Sequence, residues 1–345
     1  MSRHRWTSLP SAVMCVAAVL AAAPARAQSG RLEVHYIDVG QGDAILVRCP
    51  DGGHHMVIDS GELNFRYPHS ADQFQAYLNQ QFANLPRRID VVVASHPHSD
   101  HISSLEWVFQ NFAVGAYVDN GQKFDSPTWA RLDKLVHQRV KDGQLEYVNA
   151  KKKAFGDVEL CADVQLEVMA AWALKDLSDT NDRSVIARLT YRATSFLFVG
   201  DAHKAAEDVL MSLLPEEQRA KLDVDVLKVG HHGSATSSDP RFVSAVSPTV
   251  AVISSGKKEV GTNGTFKHPR SVTVQTLLDH FKQLDSADHR HPATNDRIWV
   301  FNSDEGSWNQ RQRRRGLCVT AKDGTVVLKS DGAQIEVLAA GCRLP

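Results

Sequence analysis

Leu32–Val39 and Ala44–Arg48 read as strands on either side of the tetrapeptide Gly40-Gln41-Gly42-Asp43. A glycine-rich break between short apolar-polar runs is a turn, so a β-meander is predicted here, continued by His54–Asp59 after Pro50-Asp51-Gly52-Gly53. Phe74, Tyr77, Leu78, Phe82 and Leu85 then recur at helical spacing within Ala71–Leu85. Ile89–Ala94 is apolar apart from Asp90, as expected of a strand covered on both faces. It runs into Ser95-His96-Pro97-His98-Ser99-Asp100-His101, and helices are predicted over Ile102–Phe112 and Ser126–Val140. The second half repeats this grammar. Strands are predicted over Val158–Val168, Val185–Leu189, Ser195–Val199, Val224–Val229 and Val250–Ser254, with helices over Ala202–Leu214 and Pro269–His280. Strands followed by strand-loop-helix units, twice over, predict an α/β layer architecture.

Polar residues gather just past the most apolar strands, at 95–101, 200–201, 230–234 and 254–268. Four loops carrying His or Asp at equivalent ends of neighbouring strands are how such a scaffold assembles an active site. In the motif H-x-H-x-D-H an extended backbone presents His96 and His98 to one side, where both imidazoles can reach one metal ion. The turn into the next helix swings Asp100 and His101 toward a second ion. A binuclear centre also needs a bridging carboxylate and further ligands from elsewhere, and Asp201 and His231 stand at the right strand ends. His231 and His232 are adjacent; in an extended loop they point oppositely, so one of them is expected to bind metal, and His231 is preferred.

Ile37-Asp38-Val39-Gly40-Gln41-Gly42-Asp43-Ala44, Val57–Gly61, Ser95–Ile102, Asn181–Ser184, Val199-Gly200-Asp201, Leu227–Ser234 and Lys267-His268-Pro269 together resemble the metallo-β-lactamase superfamily. Within it they resemble the branch of the ComEC-type competence proteins, over about residues 31–285. The resemblance implies a four-layer αββα sandwich spanning 28–290, with a small C-terminal β extension over 291–345. It implies two divalent ions: His96 and His98 on the first, Asp100, His101 and His231 on the second, and Asp201 between them. Asp59, Asn181 and His232 are expected to support the ligands or meet substrate. Asp100 and His268 are the expected catalytic residues, His268 facing a substrate oxyanion or a leaving group. The superfamily commonly has a third histidine for the first ion where this chain reads Thr180-Asn181-Asp182-Arg183-Ser184. An oxygen ligand there would make manganese more competitive, whereas His98, where the branch often has Asp, leans back toward zinc.

Arg3 and Arg5, an apolar run from Ser11 to Ala23 and Ala25-Arg26-Ala27 predict a cleaved secretory leader over 1–27, too short to be a comfortable bilayer span, and hence a periplasmic or secreted protein. Cys15 follows Val13-Met14, a poor lipidation context. The whole chain of 345 residues has 39 basic and 40 acidic groups. Losing Arg3, Arg5 and Arg26 leaves 36 against 40, net −4, which excludes a generally basic nucleic-acid binder and requires any polyanion to meet a local patch. Lys257 and Lys258, with Gly256, Gly261 and Gly264, offer one such rim; Arg311, Arg313, Arg314 and Arg315 read as a solvated run. A Cys318–Cys342 bridge is expected to clamp the tail, while Cys49 and Cys161 either pair or stay buried and free.

Two divalent ions acidify a shared water and polarise an electrophile, so hydrolysis is the expected reaction. The leading expectation is a phosphodiesterase or nuclease-type phosphoesterase acting on a small or polymeric phosphoester, with nucleic acid a candidate substrate. The alternatives are a lactamase- or lactonase-type hydrolase and a non-catalytic metal-dependent binding protein.

Overall fold

The computed structural model describes residues 30–62, 69–151, 158–169, 171–212, 214–338 and 342–343. The expected leader, Cys15 included, lies outside the described residues. In chain order the strands of the first half are β1 (Leu32–Tyr36), β2 (Ala44–Arg48), β3 (His55–Ser60), β4 (Arg88–Val93), β5 (Ala113–Asp119), β6 (Glu146–Asn149), β7 (Val158–Cys161) and β8 (Val164–Met169). Those of the second half are β9 (Ile186–Tyr191), β10 (Thr194–Phe198), β11 (Val226–Lys228), β12 (Val250–Ile253), β13 (Ala293–Asn302), β14 (Ser307–Arg314), β15 (Leu317–Val319), β16 (Val326–Ser330) and β17 (Ile335–Val337). The first sheet has the order β17-β16-β1-β2-β3-β4-β5-β6, the second β15-β12-β11-β10-β9-β8-β7, and β13-β14 form a hairpin apart.

The sheets bury a common core. Val34, Tyr36, Val47 and Ile58 from the first meet Leu166, Leu189, Phe196 and Phe198 from the second in one apolar cluster. On the outer face of the first sheet, helices His69–Gln81, Leu105–Asn111 and Pro127–Lys141 bring Phe74, Leu78, Phe109, Leu132 and Val136 against Val57, Val92 and Tyr117. Helices Lys204–Ser212, Pro240–Val246 and Ser271–Asp288 cover the second sheet with Leu210, Phe242, Leu277 and Phe281. Each helix buries one apolar stripe and each sheet two faces, which gives the αββα sandwich. Local chemistry sets the helix ends: Ser126 accepts from the Trp129 amide, Pro127 occupies the first helical position, and Arg139 and Lys141 sit in the last turn.

Several elements differ from the sequence expectation. Val158–Val168 is two strands joined at the left-handed Asp163 rather than one. The helix expected at Ile102–Phe112 is a turn, Ser99–Ile102, followed by Leu105–Asn111. The helix expected to end at His280 runs on to Asp288. The segment 291–345 divides three ways: β13-β14 project as a hairpin, β15 extends the second sheet beside β12, and β16 and β17 extend the first beside β1. Arg313 is no solvated charge. It is 1% exposed and pairs with Asp323 at 2.7 Å and Asp296 at 3.3 Å, because β14 turns it inward, where only a paired guanidinium is tolerated. Arg314 pairs with Asp285 at 3.1 Å. Both cysteine pairs are bridged, Cys49–Cys161 and Cys318–Cys342. No helix among the described residues is long and apolar enough to cross a membrane.

Buried Glu207 ties the helix layer to the 230–239 segment. Its carboxylate accepts from the Ser238 and Asp239 amides at 2.6 and 2.8 Å. Burial is the largest influence on it, opposed by those two donors, and raises its pKa to about 7. Between pH 4.5 and 7 the folded chain therefore holds a proton that the unfolded chain has lost, and stability falls as pH rises through that window. In Glu207→Gln this slope is absent. The stability difference between wild type and variant is expected to shift by roughly 3 kcal/mol in the variant's favour from about pH 4.5 to 8. Denaturant titrations across that range measure it; a constant difference would mean that the two amides keep the carboxylate ionised throughout.

Candidate metal centre

β3, β4, β10, β11 and β12 all end at the same edge of the sandwich, because β3-β4 and β10-β11-β12 are parallel neighbours within their sheets. Their C-terminal ends and the loops that follow deliver Asp59, Ser95–His101, Asp201, His231-His232 and Ser254–Gly256. Close approach makes two glycines necessary. A Cβ on Gly42, whose φ is +139°, would lie 2.5 Å from the Asp100 carbonyl oxygen. One on Gly200, φ +53°, would lie 2.8 Å from Ser95 Cβ.

At the centre, Asp201 is 2% exposed and faces four imidazoles. Its Oδ2 lies 3.2 Å from His101 Nε2, 3.3 Å from His232 Nε2, 3.8 Å from His231 Nε2 and 3.9 Å from His96 Nε2. Asp100 Oδ2 is 3.3 Å from His232 Nε2 and 3.9 Å from His101 Nε2. Asp100, His101, Asp201 and His232 each offer one donor atom, all within 4.8 Å of one another. His101 Nε2, His232 Nε2 and Asp201 Oδ1 are buried without a hydrogen-bond partner. A buried cluster of two imidazole nitrogens and two carboxylates with these atoms unsatisfied fits a divalent cation.

The surrounding groups fix the orientations. Asp59, held at φ +57°, accepts from the Ser95 amide at 2.7 Å and from Ser95 Oγ at 2.7 Å. It also lies 2.8 Å from His101 Nδ1, which directs His101 Nε2 at Asp201 and Asp100. Ser95 Oγ is 3.0 Å from His96 Nδ1. His98 is half-buried, its Nδ1 3.0 Å from His96 Nε2 and its ring 5.2 Å from Phe124. Burial alone would lower His101 and His232, yet the neighbouring carboxylates, Asp201 foremost, hold both well above the usual imidazole range. Burial opposes ionisation of Asp201, but His101, His232 and His231 keep its carboxyl well below the usual carboxylate range. His96, buried beside His101, is pushed well down.

The expected preference for His231 over His232 meets a different backbone. The Gly230–Gly233 loop is not extended: His231 and His232 both adopt left-handed conformations, φ 46° and 53°, so the strand rule of opposite faces does not apply. His232 enters the cluster with Asp100 and His101. His231 lies to one side, 2.9 Å from His203 Nε2 and 3.0 Å from Thr236 Oγ1 through its Nδ1. Asn181 joins them, its Nδ2 3.1 Å from His203 Nε2. His268 borders both, its ring 5.3 Å from that of His231 and 6.1 Å from that of His232.

Three contributors escape the motif. Asp43 ion-pairs with Lys228 and lies 3.3 Å from His232 Nδ1, whose hydrogen bond goes to the Ser254 carbonyl at 3.0 Å. Lys228 donates to the Gly200 carbonyl at 3.0 Å, beneath Asp201. A lysine inside the apolar run Val224–Val229 was its sequence signal. His203, two residues past Asp201, carried none beyond its position. Asp179, Asp182 and His203 form a further group, but Asp182 Oδ1 already accepts from the His203 and Ala206 amides.

The sequence profile of the Metallo-beta-lactamase superfamily matches residues 37–257, and the chain belongs to that superfamily, whose fold is that of a metal-dependent hydrolase. Its relatives include ComE operon protein 3 of Bacillus subtilis (strain 168), 27% identical over 256 residues, which cover 72% of this chain and 31% of that protein. They also include the Competence protein ComA of Neisseria gonorrhoeae, 27% identical over 271 residues, 79% of this chain and 33% of that one. The chain thus spans about a third of these relatives' length, and they fall in the competence-protein branch that its motifs resemble. Among solved structures, the metallo-beta-lactamase fold protein YhfI from Bacillus subtilis is 10% identical with a TM-score of 0.40, covering 65% of this chain and 86% of that one.

Proposed function

We propose that this chain is an exported binuclear metal-dependent phosphodiesterase. The observation that carries the reading is Asp201, a buried carboxylate facing four imidazoles from two separate loops, next to an entrance where His268 adjoins Lys257 and Lys258. Two ions would be held by His96, His98, Asp100, His101, Asp201 and His232, with His231 beside them, 3.8 Å from Asp201; zinc suits the nitrogen-rich set and manganese the oxygens. Bound there, they supply Lewis acidity and an acidified water.

The chain's own residues supply orientation. Gln41 Oε1 accepts from the Gly256 amide, so its Nε2 donates to His268 Nδ1 at 3.2 Å. Burial, reinforced by His232, holds the His268 pKa down to about 2. His268 is therefore neutral, with its proton on Nε2. It serves as a hydrogen-bond donor to a phosphoryl oxygen and not as the general acid that the sequence allowed. The test is hydrolysis of bis-p-nitrophenyl phosphate, p-nitrophenyl phosphate and nitrocefin, each with and without chelator. Diester cleavage abolished by chelator is expected; nitrocefin turnover without diester cleavage would make the chain an amide hydrolase instead.

Asp59→Asn tests the orientation of His101. An amide that still accepts from the Ser95 backbone presents its NH2 to His101 Nδ1, so the proton moves to Nε2 and the lone pair needed for a metal is lost. Metal affinity is expected to fall by about 10- to 100-fold, read by competition with a chromogenic chelator. An unchanged affinity would remove His101 from the ligand set.

A further inference from the structure

The four imidazoles around Asp201 all turn Nε2 toward its carboxylate, and the other ring nitrogen of each has a partner. His101 Nδ1 meets Asp59 at 2.8 Å, His232 Nδ1 the Ser254 carbonyl at 3.0 Å, and His96 Nδ1 the Ser95 hydroxyl at 3.0 Å. Ser95 Oγ donates its own proton to Asp59 at 2.7 Å, so it accepts from the His96 ring. For these three an oxygen acceptor keeps the proton on Nδ1 and leaves a lone pair free on Nε2. His231 is served differently. Its Nδ1 faces His203 Nε2 at 2.9 Å and Thr236 Oγ1 at 3.0 Å. A hydroxyl donates or accepts as required, so Thr236 by itself fixes nothing.

His203 does fix it. The amide nitrogen of Asn181 stands 3.1 Å from His203 Nε2, and an amide NH2 group only donates, so Nε2 is the unprotonated nitrogen of that ring. The proton of His203 is then on Nδ1, the side where the Asp179 carboxylate lies 4.0 Å away. The backbone holds the group in place: His203 N donates to Asp182 Oδ1 at 3.0 Å, and Asn181 N to Asp179 Oδ1 at 2.8 Å. The His203 ring stacks on that of His231, with centres 4.8 Å apart and planes inclined by 28°. An unprotonated nitrogen at 2.9 Å obliges His231 to carry its proton on Nδ1. Asp179, Asn181 and Asp182, which hold His203, belong to the stretch where the superfamily commonly has a third histidine for the first ion.

We infer that His203 is a positioning residue: by accepting from His231 Nδ1 it presents an unprotonated His231 Nε2 to the Asp201 cluster, so that position 231 supplies the metal-binding nitrogen that position 181 lacks. Asn181 holds His203, and His203 holds His231. The inference rests on the metal centre of the proposed function and is independent of its substrate.

The test uses the purified full chain, stripped of metal and carrying isotopically labelled histidine. Long-range proton–nitrogen correlation spectra distinguish the two neutral tautomers, and the His231 signals are identified by their loss in His231→Gln. The wild type is expected to show His231 protonated on Nδ1. His203→Phe keeps a ring against His231 but removes the acceptor. A population protonated on Nε2 should then appear, and zinc affinity, read by competition with a chromogenic chelator, should fall about 10- to 100-fold for the more weakly held ion. His203→Gln offers a carbonyl oxygen to the same proton and should restore most of that affinity. Circular dichroism verifies that each variant is folded. A wild-type His231 protonated on Nε2 would overturn the inference, as would wild-type zinc affinity in His203→Phe. Equal losses in the phenylalanine and glutamine variants would overturn it too, since they would reduce His203 to packing. Bis-p-nitrophenyl phosphate hydrolysis by the wild type is read separately. Cleavage with zinc binding indifferent to His203 overturns the positioning role alone, and His203-dependent zinc binding without cleavage overturns the phosphodiesterase reading alone.

Discussion

Asp201→Ala is expected to abolish diester hydrolysis by roughly a thousandfold or more and to leave the protein with less than its full complement of metal. Several kcal/mol of charge stabilisation reside in a metal centre of this kind, and each loss of about 1.36 kcal/mol from the transition state is a factor of ten. No neighbour can substitute. Asp100 reaches His232 at 3.3 Å and lies near His101, whereas Asp201 also stands within 4 Å of His96 and His231. Removing it leaves His101, His232 and Lys228 in a buried pocket with one fewer counter-charge. Asp201→Asn keeps the shape but loses the charge, and separates packing from electrostatics. Metal content by mass spectrometry and initial rates on bis-p-nitrophenyl phosphate decide the matter. Wild-type values for both in the alanine variant would refute Asp201 as the group shared between the ions.

What the chain revealed in advance follows from where its signals are local. The apolar run Ile89–Ala94 and the alternating stretches around it located most strands to within a few residues, since burial on one or both faces writes itself directly into side-chain polarity. The H-x-H-x-D-H loop was equally legible, four metal-competent groups in six positions having little structural use otherwise. The strand β5 and the hairpin β13-β14 were not. The hairpin faces solvent and a cleft on one side, so Arg297, Gln310 and Gln312 mask Ile298 and Val300, and its arginines read as a solvated run within an undivided β extension. Nor could sequence spacing show that His231, His232 and Gly233 are left-handed, in a segment so tightly packed that a Cβ on Gly233 would lie 2.8 Å from Pro269. That one backbone feature decides which of two adjacent histidines enters the cluster. Asp43 and Lys228 are distant in sequence, and their mutual burial beneath His232 is a tertiary fact.

Breaking the Cys49–Cys161 bridge is expected to separate stability from chemistry. Cys49 follows β2 in the first sheet and Cys161 ends β7 in the second, so the bond staples the two sheets across their shared core. It does so at the end opposite the metal cluster: β2 begins beside Asp43 and runs away from it, and Cys161 pairs with Val164, which in turn faces Tyr191 at the far end of β9. The bond closes a sequence separation of 112 residues, for which the loss of unfolded-state entropy corresponds to about 5 kcal/mol. Cys318–Cys342, with a separation of 24, corresponds to about 3.5 kcal/mol. Replacing Cys49 and Cys161 together with serine should lower the Tm by roughly 10 °C or more. Diester hydrolysis well below that temperature should continue, because Asp59, Asp100, Asp201 and His232 hold their positions through partners at the other end of the strands. Calorimetry and rate measurements at a low temperature test both halves. A Tm within about 2 °C of wild type would show that the two sheets are held by apolar burial alone. A stable but inactive variant would show instead that the bridge transmits to the site, 112 residues of loop notwithstanding.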